Sequence, residues 1–278
     1  MGSILGVGGQ ELQLRDLELA EIPGLESFAP EEWQIALDAV LLQHFGRQYF
    51  HGRVMADARG VVAVGQGIVT GGVGWIGNVI VRPEARRRGL GTRLTVDLVE
   101  RLRARGCVRL LLIATQLGAP VYLKLGFRRT GDYVFLRVPR LPPPATRSCR
   151  RLQPSQADEV LKLDRLATDE SRTELLGPHL GTGWGHVDRS GSLDGYFLPS
   201  LGAGLVVASG PEAGLELLAF KHAFFPSDAV VPAGNSSALQ FLVAHGAEET
   251  SRSPRMALGD ELAWRPEWVF ARGSGYCG

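Results

Sequence analysis

Val81-Arg82-Pro83-Glu84-Ala85-Arg86-Arg87-Arg88-Gly89-Leu90-Gly91-Thr92 decides how this chain is read. Upstream, Trp75-Ile76-Gly77-Asn78-Val79-Ile80-Val81 is mostly apolar and β-branched, which predicts a strand. Downstream, Leu90, Leu94, Leu98 and Leu102 recur every four residues, which predicts one face of a helix. A turn, three consecutive arginines and two glycines join them. Gly89 and Gly91 have no β-carbon, so a ligand can approach the backbone there. The N–H groups of a helix start, its dipole and three guanidinium groups together favour an anion rich in oxygens, such as a pyrophosphate. The spacing is neither a Walker A loop, which needs Gly-Lys-Ser/Thr, nor the GxGxxG dinucleotide fingerprint.

A second stretch narrows the reading. Ala119-Pro120-Val121-Tyr122-Leu123-Lys124-Leu125-Gly126-Phe127 predicts a short helix stopped by a left-handed glycine. Val108-Arg109-Leu110-Leu111-Leu112-Ile113-Ala114 is a nearly continuous apolar run, as in a buried strand. The arrangement Arg86-x-x-Gly89-x-Gly91 after Val81-x-Pro83-Glu84 resembles the coenzyme A loop of the GCN5-related N-acetyltransferases (GNAT). Tyr122-x-Lys124-x-Gly126-Phe127 matches that family's Tyr-x-Lys-x-Gly-Phe pattern in full. The element order from residue 12 to residue 138 is also the family's order.

The resemblance implies an α/β fold with a mixed sheet, and acetyl-CoA as co-substrate. It implies coenzyme contacts from Arg86, Arg87, Arg88, Gly89, Leu90, Gly91 and Thr92. It adds the backbone of Val79 and Val81, pairing with the pantetheine arm like an extra strand where the sheet splays. Tyr122 is implied as general acid: a phenol near pKa ~10 can protonate a leaving thiolate whose conjugate acid lies near ~8.5. Backbone N–H groups at the splay would hold the oxyanion.

The chain has 278 residues, 45% hydrophobic and 21% charged, which suffices for two domains. A formal net charge of +1 points to no nucleic acid or membrane surface as partner. Cys107, Cys149 and Cys277 form no CxxC pair, which fits a reducing cytoplasm rather than a disulfide framework. No His, Cys and carboxylate cluster has metal-ligand spacing, so no metal is expected. Residues 1–9 lack the basic and apolar regions of a signal peptide, and no apolar run is long enough to cross a bilayer.

Four prolines among Pro139, Pro142, Pro143 and Pro144 break the chain. Three segments are expected: a catalytic domain at 1–140, a proline-rich linker at 141–148 and a second domain at 149–278. The second half reads as a worn copy of the first. Asn235, Ala238, Leu242 and Gly246 stand at a constant offset from Thr115, Gly118, Tyr122 and Gly126. Leu242 replaces the tyrosine, and Ser209-Gly210-Pro211-Glu212-Ala213-Gly214 offers no arginine to a phosphate. This resembles tandem bacterial acetyltransferases with one working repeat and a degenerate second fold that shapes the substrate pocket. Ser155 and Asp158 are expected to form a capping box.

The general base is open. Many relatives carry a glutamate on the strand that here spans Trp75 to Val81. Its only polar side chain is Asn78, which can hold a relaying water but cannot itself be a base. Glu31, Glu32, Asp38 and Asp57 are alternatives. Specificity is expected from Ser27 to His51, with Phe28, Trp33, His44, Phe45, Tyr49, Phe50 and His51. The leading reading is an N-acetyltransferase acting on a primary amine of a small or amino-acid-like molecule. The alternatives are a protein lysine or N-terminal acetyltransferase, and a non-catalytic acyl-CoA sensor. Monomer and homodimer both remain open.

Overall fold

The alternation of strand and helix signals in the sequence becomes a pair of interlocked α/β halves. The fold is a computed structural model that describes residues 3–5, 11–33, 35–144 and 148–276. In the first half these are β1 (Ser3–Leu5), β2 (Glu11–Asp16), α1 (Leu37–His44), β3 (Phe50–Asp57), β4 (Gly60–Thr70), β5 (Val73–Val81), α2 (Leu90–Ala104), β6 (Arg109–Ile113), α3 (Ala119–Lys124) and β7 (Arg128–Arg137). The second half adds β8 (Cys149–Arg151), α4 (Ala157–Thr168), α5 (Thr173–Leu180), β9 (Trp184–Val187), β10 (Leu193–Leu198), β11 (Leu205–Ala208), α6 (Pro211–Phe224), β12 (Ala229–Pro232), α7 (Ser236–Ala244), β13 (Glu248–Leu258) and β14 (Val269–Ala271). A 3-10 stretch, Leu19–Phe28, precedes α1.

The leucine stripe of α2 is buried at Leu90, Leu94, Leu98 and Leu102. It lies against β4 where that strand is glycine: a β-carbon on Gly67 would fall 2.9 Å from a methyl of Leu102. Glycine there lets the helix axis approach the sheet, and larger side chains would push it off. The other sheet face carries Val54, Val64 and Ile80, covered by Ile22, Leu25, Phe28, Leu37 and Leu41 from the 3-10 stretch and α1.

The strand order is β1-β2-β3-β4-β5-β6-β13-β7-β12 in one sheet and β14-β11-β10-β9-β8 in the other. The halves exchange strands. β13 of the second half lies between β6 and β7 of the first, pairing Met256 with Leu112 and Arg252 with Val134. In return β7 lies between β13 and β12, pairing Val134 with Val231. The proline-rich connector is tied down at its start, where Leu141 is buried and its N–H donates to the His222 carbonyl. Residues 145–147, within the 141–148 linker, lie outside the described residues.

Ser155 and Asp158 do not form the capping box. Gln153 and Gln156 do, one 3-10 turn ahead of α4, where the Gln156 side chain accepts from the Gln153 N–H at 3.0 Å. The proline at 154 starts the turn early, so the cap moves upstream of the serine.

Candidate coenzyme and acyl-transfer site

β5 and β6 run parallel and pair from Val73 with Arg109 to Ile76 with Leu112. The ladder stops there, and Gly77 is the first β5 residue beyond it. On its other edge β5 carries a bulge: Gln66 pairs with Gly77 and Val64 with Ile80, so Asn78 and Val79 together oppose Gly65. Asn78 takes φ +51°, the left-handed region that asparagine tolerates better than most residues. Its Nδ2 is buried with no hydrogen-bond partner among the described residues. The bulge and the ended ladder open the sheet at one point, and Val79 and Val81 line the opening as half-buried residues.

The loop after β5 gathers backbone donors and positive charge at one place. Pro83–Ala85 form a 3-10 turn, and Arg86 follows with its Nε donating to the Val81 carbonyl at 3.1 Å. Arg87 at φ +60° and Gly89 at φ +73° turn the chain into α2. No described side chain caps α2, whose first intrahelical bond runs from Arg93 N–H to the Gly89 carbonyl. The N–H groups of Leu90, Gly91 and Thr92 therefore have no intrahelical acceptor. Arg86, Arg87, Arg88 and Gly89 are exposed around them. Gly91 sits against β5, its β-carbon position 3.6 Å from a Val81 methyl. The three arginines, both glycines and the valine strand thus meet at one corner, and their donors fit a pyrophosphate.

Tyr122 reaches the α2 side of the same region and packs in one buried cluster with Ala85, Leu90 and Ala114. Its ring meets Phe127 edge-on at 5.9 Å. Gly118 makes room for it, since a β-carbon there would lie 3.0 Å from the ring. Thr115 Oγ1 accepts the Gly118 N–H at 3.1 Å and closes the turn ahead of α3. Burial pushes the Tyr122 phenol up to about 12, which keeps it protonated and able to donate.

The candidate bases separate. Asp57 accepts the Arg59 N–H and pairs with its guanidinium, which is a hairpin-closing role. Glu31 is exposed, and the Glu32 side chain lies outside the described residues. Asp38 Oδ1 is buried in the first turn of α1 with no hydrogen-bond partner among the described residues. Phe28, Trp33 and Phe45 belong to the core under α1. His44, Tyr49 and Phe50 form a separate aromatic group with Tyr276: His44 Nε2 is 2.8 Å from the Tyr276 hydroxyl, and Nδ1 is 3.2 Å from that of Tyr49. Burial, with His179 and Arg47 nearby, lowers His44 to about 4, which keeps it neutral. His51 lines a cavity of 440 Å³ with Thr70, Gly71, Arg105 and Thr173. That cavity lies at the Thr70–Val73 end of the β4–β5 pair, away from Val81 and the arginine loop.

Two residues at the opening carry no sequence motif. Gln66 is fully buried with neither amide atom hydrogen-bonded to a described residue. Tyr276 comes from the far end of the chain. The only sequence signal for either is Gly77, a glycine inside a strand, which marks a close approach by something else.

Among the described residues the second half shows no such opening. β14 fills the space between β11 and β12, pairing Val207 with Val269, while the Arg272 N–H donates to the Val230 carbonyl. Asn235 holds β14 there: its Nδ2 donates to the Glu267 and Val269 carbonyls, and its Oδ1 caps α7 at Ala238. Leu242 is buried in the core beneath.

Residues 14–127 match the sequence profile of the acetyltransferase (GNAT) family. The chain is 45% identical over 56 residues to glucosamine 6-phosphate N-acetyltransferase of Trypanosoma brucei brucei, covering 20% of this chain and 38% of that one. It is 32% identical over 141 residues to glucosamine 6-phosphate N-acetyltransferase 1 of Oryza sativa subsp. japonica, covering 44% of this chain and 84% of that one. The whole fold is similar to that of a candidate acetyltransferase from Pyrococcus horikoshii, with a TM-score of 0.83, 18% identity and 96% of each chain covered. It is also similar to a tandem GNAT protein from the clavulanic acid biosynthesis pathway, with a TM-score of 0.61, 16% identity, and 89% of this chain and 98% of that one covered. No helix among the described residues is long and apolar enough to cross a membrane. With the profile match over residues 14–127 and a relative 32% identical across 84% of its own length, the chain with this opened sheet and uncapped, arginine-flanked helix start belongs to the acetyltransferase (GNAT) family.

Proposed function

We propose that the chain transfers the acetyl group of acetyl-CoA to a primary amine of a small molecule, and that only the first half does chemistry. The observation that carries this is the pairing of features at one corner: the uncapped start of α2 with its exposed arginines, next to the opened edge of β5. The pyrophosphate would rest on the Leu90, Gly91 and Thr92 N–H groups and Arg86 to Arg88. The arm would run along Val79 and Val81 towards Gly77.

The amine nitrogen attacks the thioester carbonyl, the tetrahedral intermediate forms, and the C–S bond breaks. Tyr122 donates its proton to the leaving thiolate. Asn78 offers an unpartnered amide near the carbonyl, suited to holding a water that takes up the amine proton. No described carboxylate stands on β5, so an acceptor with a low amine pKa suits the site best. The two glucosamine 6-phosphate enzymes among the relatives make an amino-sugar phosphate the first acceptor to try.

Free thiol release from acetyl-CoA over a panel of amines, glucosamine 6-phosphate included, tests this reading. Turnover with one small amine is expected. Coenzyme binding with no thiol release from any amine would make the chain a sensor, and absence of binding would remove the reading altogether.

A further inference from the structure

Tyr276 is 2% exposed and belongs to no part of the pyrophosphate or thiol machinery. It follows β14 by a short glycine-containing segment, Gly273-Ser274-Gly275, that crosses from the second half to the first. Its β-carbon lies 3.0 Å from where a Gly77 β-carbon would be, and its α-carbon 3.7 Å. Gly77 is glycine because Tyr276 rests directly on the strand. The ring is held from its far end: the hydroxyl is 2.8 Å from His44 Nε2, and the two rings meet edge-on at 5.0 Å and 81°. His44 is itself fully buried and fixed by Tyr49 and Phe50.

The place matters because Gly77 is where β5 leaves β6. Val81, beside the pyrophosphate corner, is four residues further on, roughly 13 Å at about 3.3 Å per residue. An extended thioester arm laid along β5 ends its reach near Gly77. The face of the sheet opposite α2 is there covered by Tyr276, with the unpartnered Gln66 amide beside it, its Nε2 3.8 Å from the Gly77 β-carbon position.

We propose that Tyr276, delivered by the second half and latched to His44, is the wall of the acyl pocket that keeps water off the thioester. This rests on the acetyl-CoA reading above. Water and an amine compete for one carbonyl. Hydrolysis adds water oxygen to that carbon, breaks the C–S bond, and yields acetate, free thiol and one proton. Excluding bulk water from the acyl face suppresses that reaction without touching coenzyme anchoring.

The test uses the full chain with acetyl-CoA alone, following thiol and acetate release in the absence of any amine, and measures coenzyme affinity by calorimetry. Tyr276→Ala is expected to raise amine-independent hydrolysis about tenfold or more, with coenzyme affinity within about twofold of wild type. Tyr276→Phe keeps the ring but loses the latch to His44, and its background is expected to fall between those of wild type and Tyr276→Ala. A Tyr276→Ala protein that binds acetyl-CoA normally and hydrolyses it no faster than wild type overturns the proposal. If the alanine variant does not fold, Tyr276→Leu fills the position over Gly77 and leaves the ring space open, and it is judged by the same two readings. A wild-type chain that binds no acetyl-CoA would instead overturn the acetyl-CoA reading, which separates the two failures.

Discussion

Phe270 lies so close to Gly214 that a β-carbon on the glycine would fall 2.1 Å from two atoms of the ring. The contact packs α6 on β14, the strand that fills the slot of the second half. Gly214→Ala is expected to force the ring or β14 aside and to destabilise the protein by about 1–3 kcal/mol. Chemical denaturation of the variant against wild type measures this. A variant as stable as wild type would mean that β14 sits loosely.

Under the acetyl-CoA reading, the filled slot of the second half predicts a single coenzyme site. One acetyl-CoA per chain is expected by calorimetry. Arg86→Glu with Gly89→Glu should abolish it, because like charge and bulk would stand where phosphates sit, and Gly89 at φ +73° strains any side chain. Two equivalent sites in the wild type would contradict this.

Tyr122→Phe is expected to lower turnover by roughly 10²–10⁴-fold while leaving coenzyme affinity nearly unchanged, since ring packing with Phe127 survives. A phenol pushed up to about 12 gives no alkaline limb below about pH 10. A limb seen there belongs to the acceptor amine or another group, and its persistence in Tyr122→Phe is the check.

His186 gives the second half a pH dependence. It bridges Asp194 Oδ1 at 2.6 Å and Glu216 Oε2 at 2.9 Å. Burial pulls its pKa down, but the hydrogen bonds and charges of Asp194 and Glu216 more than offset that and raise it above 6.5. A folded pKa above the unfolded one means stability fully present below about pH 6.5, lost as pH rises through the folded value. The denaturation midpoint of wild type is expected to fall on going from pH 6 to pH 9. His186→Gln should flatten that slope, and an unchanged slope would show that the bridge contributes nothing.

Cutting the chain after Arg140 removes β13, the strand between β6 and β7. The shortened chain is expected to be insoluble or to expose apolar surface to a dye, because Leu111, Leu112 and Val134 lose their ladder partners. Co-expression of residues 141–278 should restore solubility. A soluble, coenzyme-binding 1–140 fragment would show that the exchanged strand is dispensable.

What the sequence disclosed and what it withheld divide by range. The stripe Leu90 to Leu102, the glycine stop at Gly126 with φ +88°, and the turn at Gly89 are local patterns whose physics acts within a few residues. The strand exchange is not local. Nothing in Glu248–Leu258 says that it pairs with Arg109–Ile113 rather than with a strand of its own half. Asn235 is legible as a retained repeat position, yet its tasks, capping α7 and gripping the Glu267 and Val269 carbonyls, need α7 and β14 in place. Gln66 and Tyr276 escaped because a buried amide and a tyrosine far along the chain form no motif, and only Gly77 hinted that something rests there.

The borrowed strand also fixes a timetable. During synthesis from the N-terminus, β5, the arginine loop and β6 are all made before Arg255 to Leu258 exist to complete the ladder on β6. Non-local pairings of that separation form slowly, and unpaired strands stay open to wrong partners while they wait. The coenzyme corner therefore gains its supporting sheet only when nearly the whole described chain has been made. A first half still being made is expected to lack the completed sheet beside β6, and a lesion in β13 is expected to weaken the arginine corner although β13 itself pairs with β6 and β7.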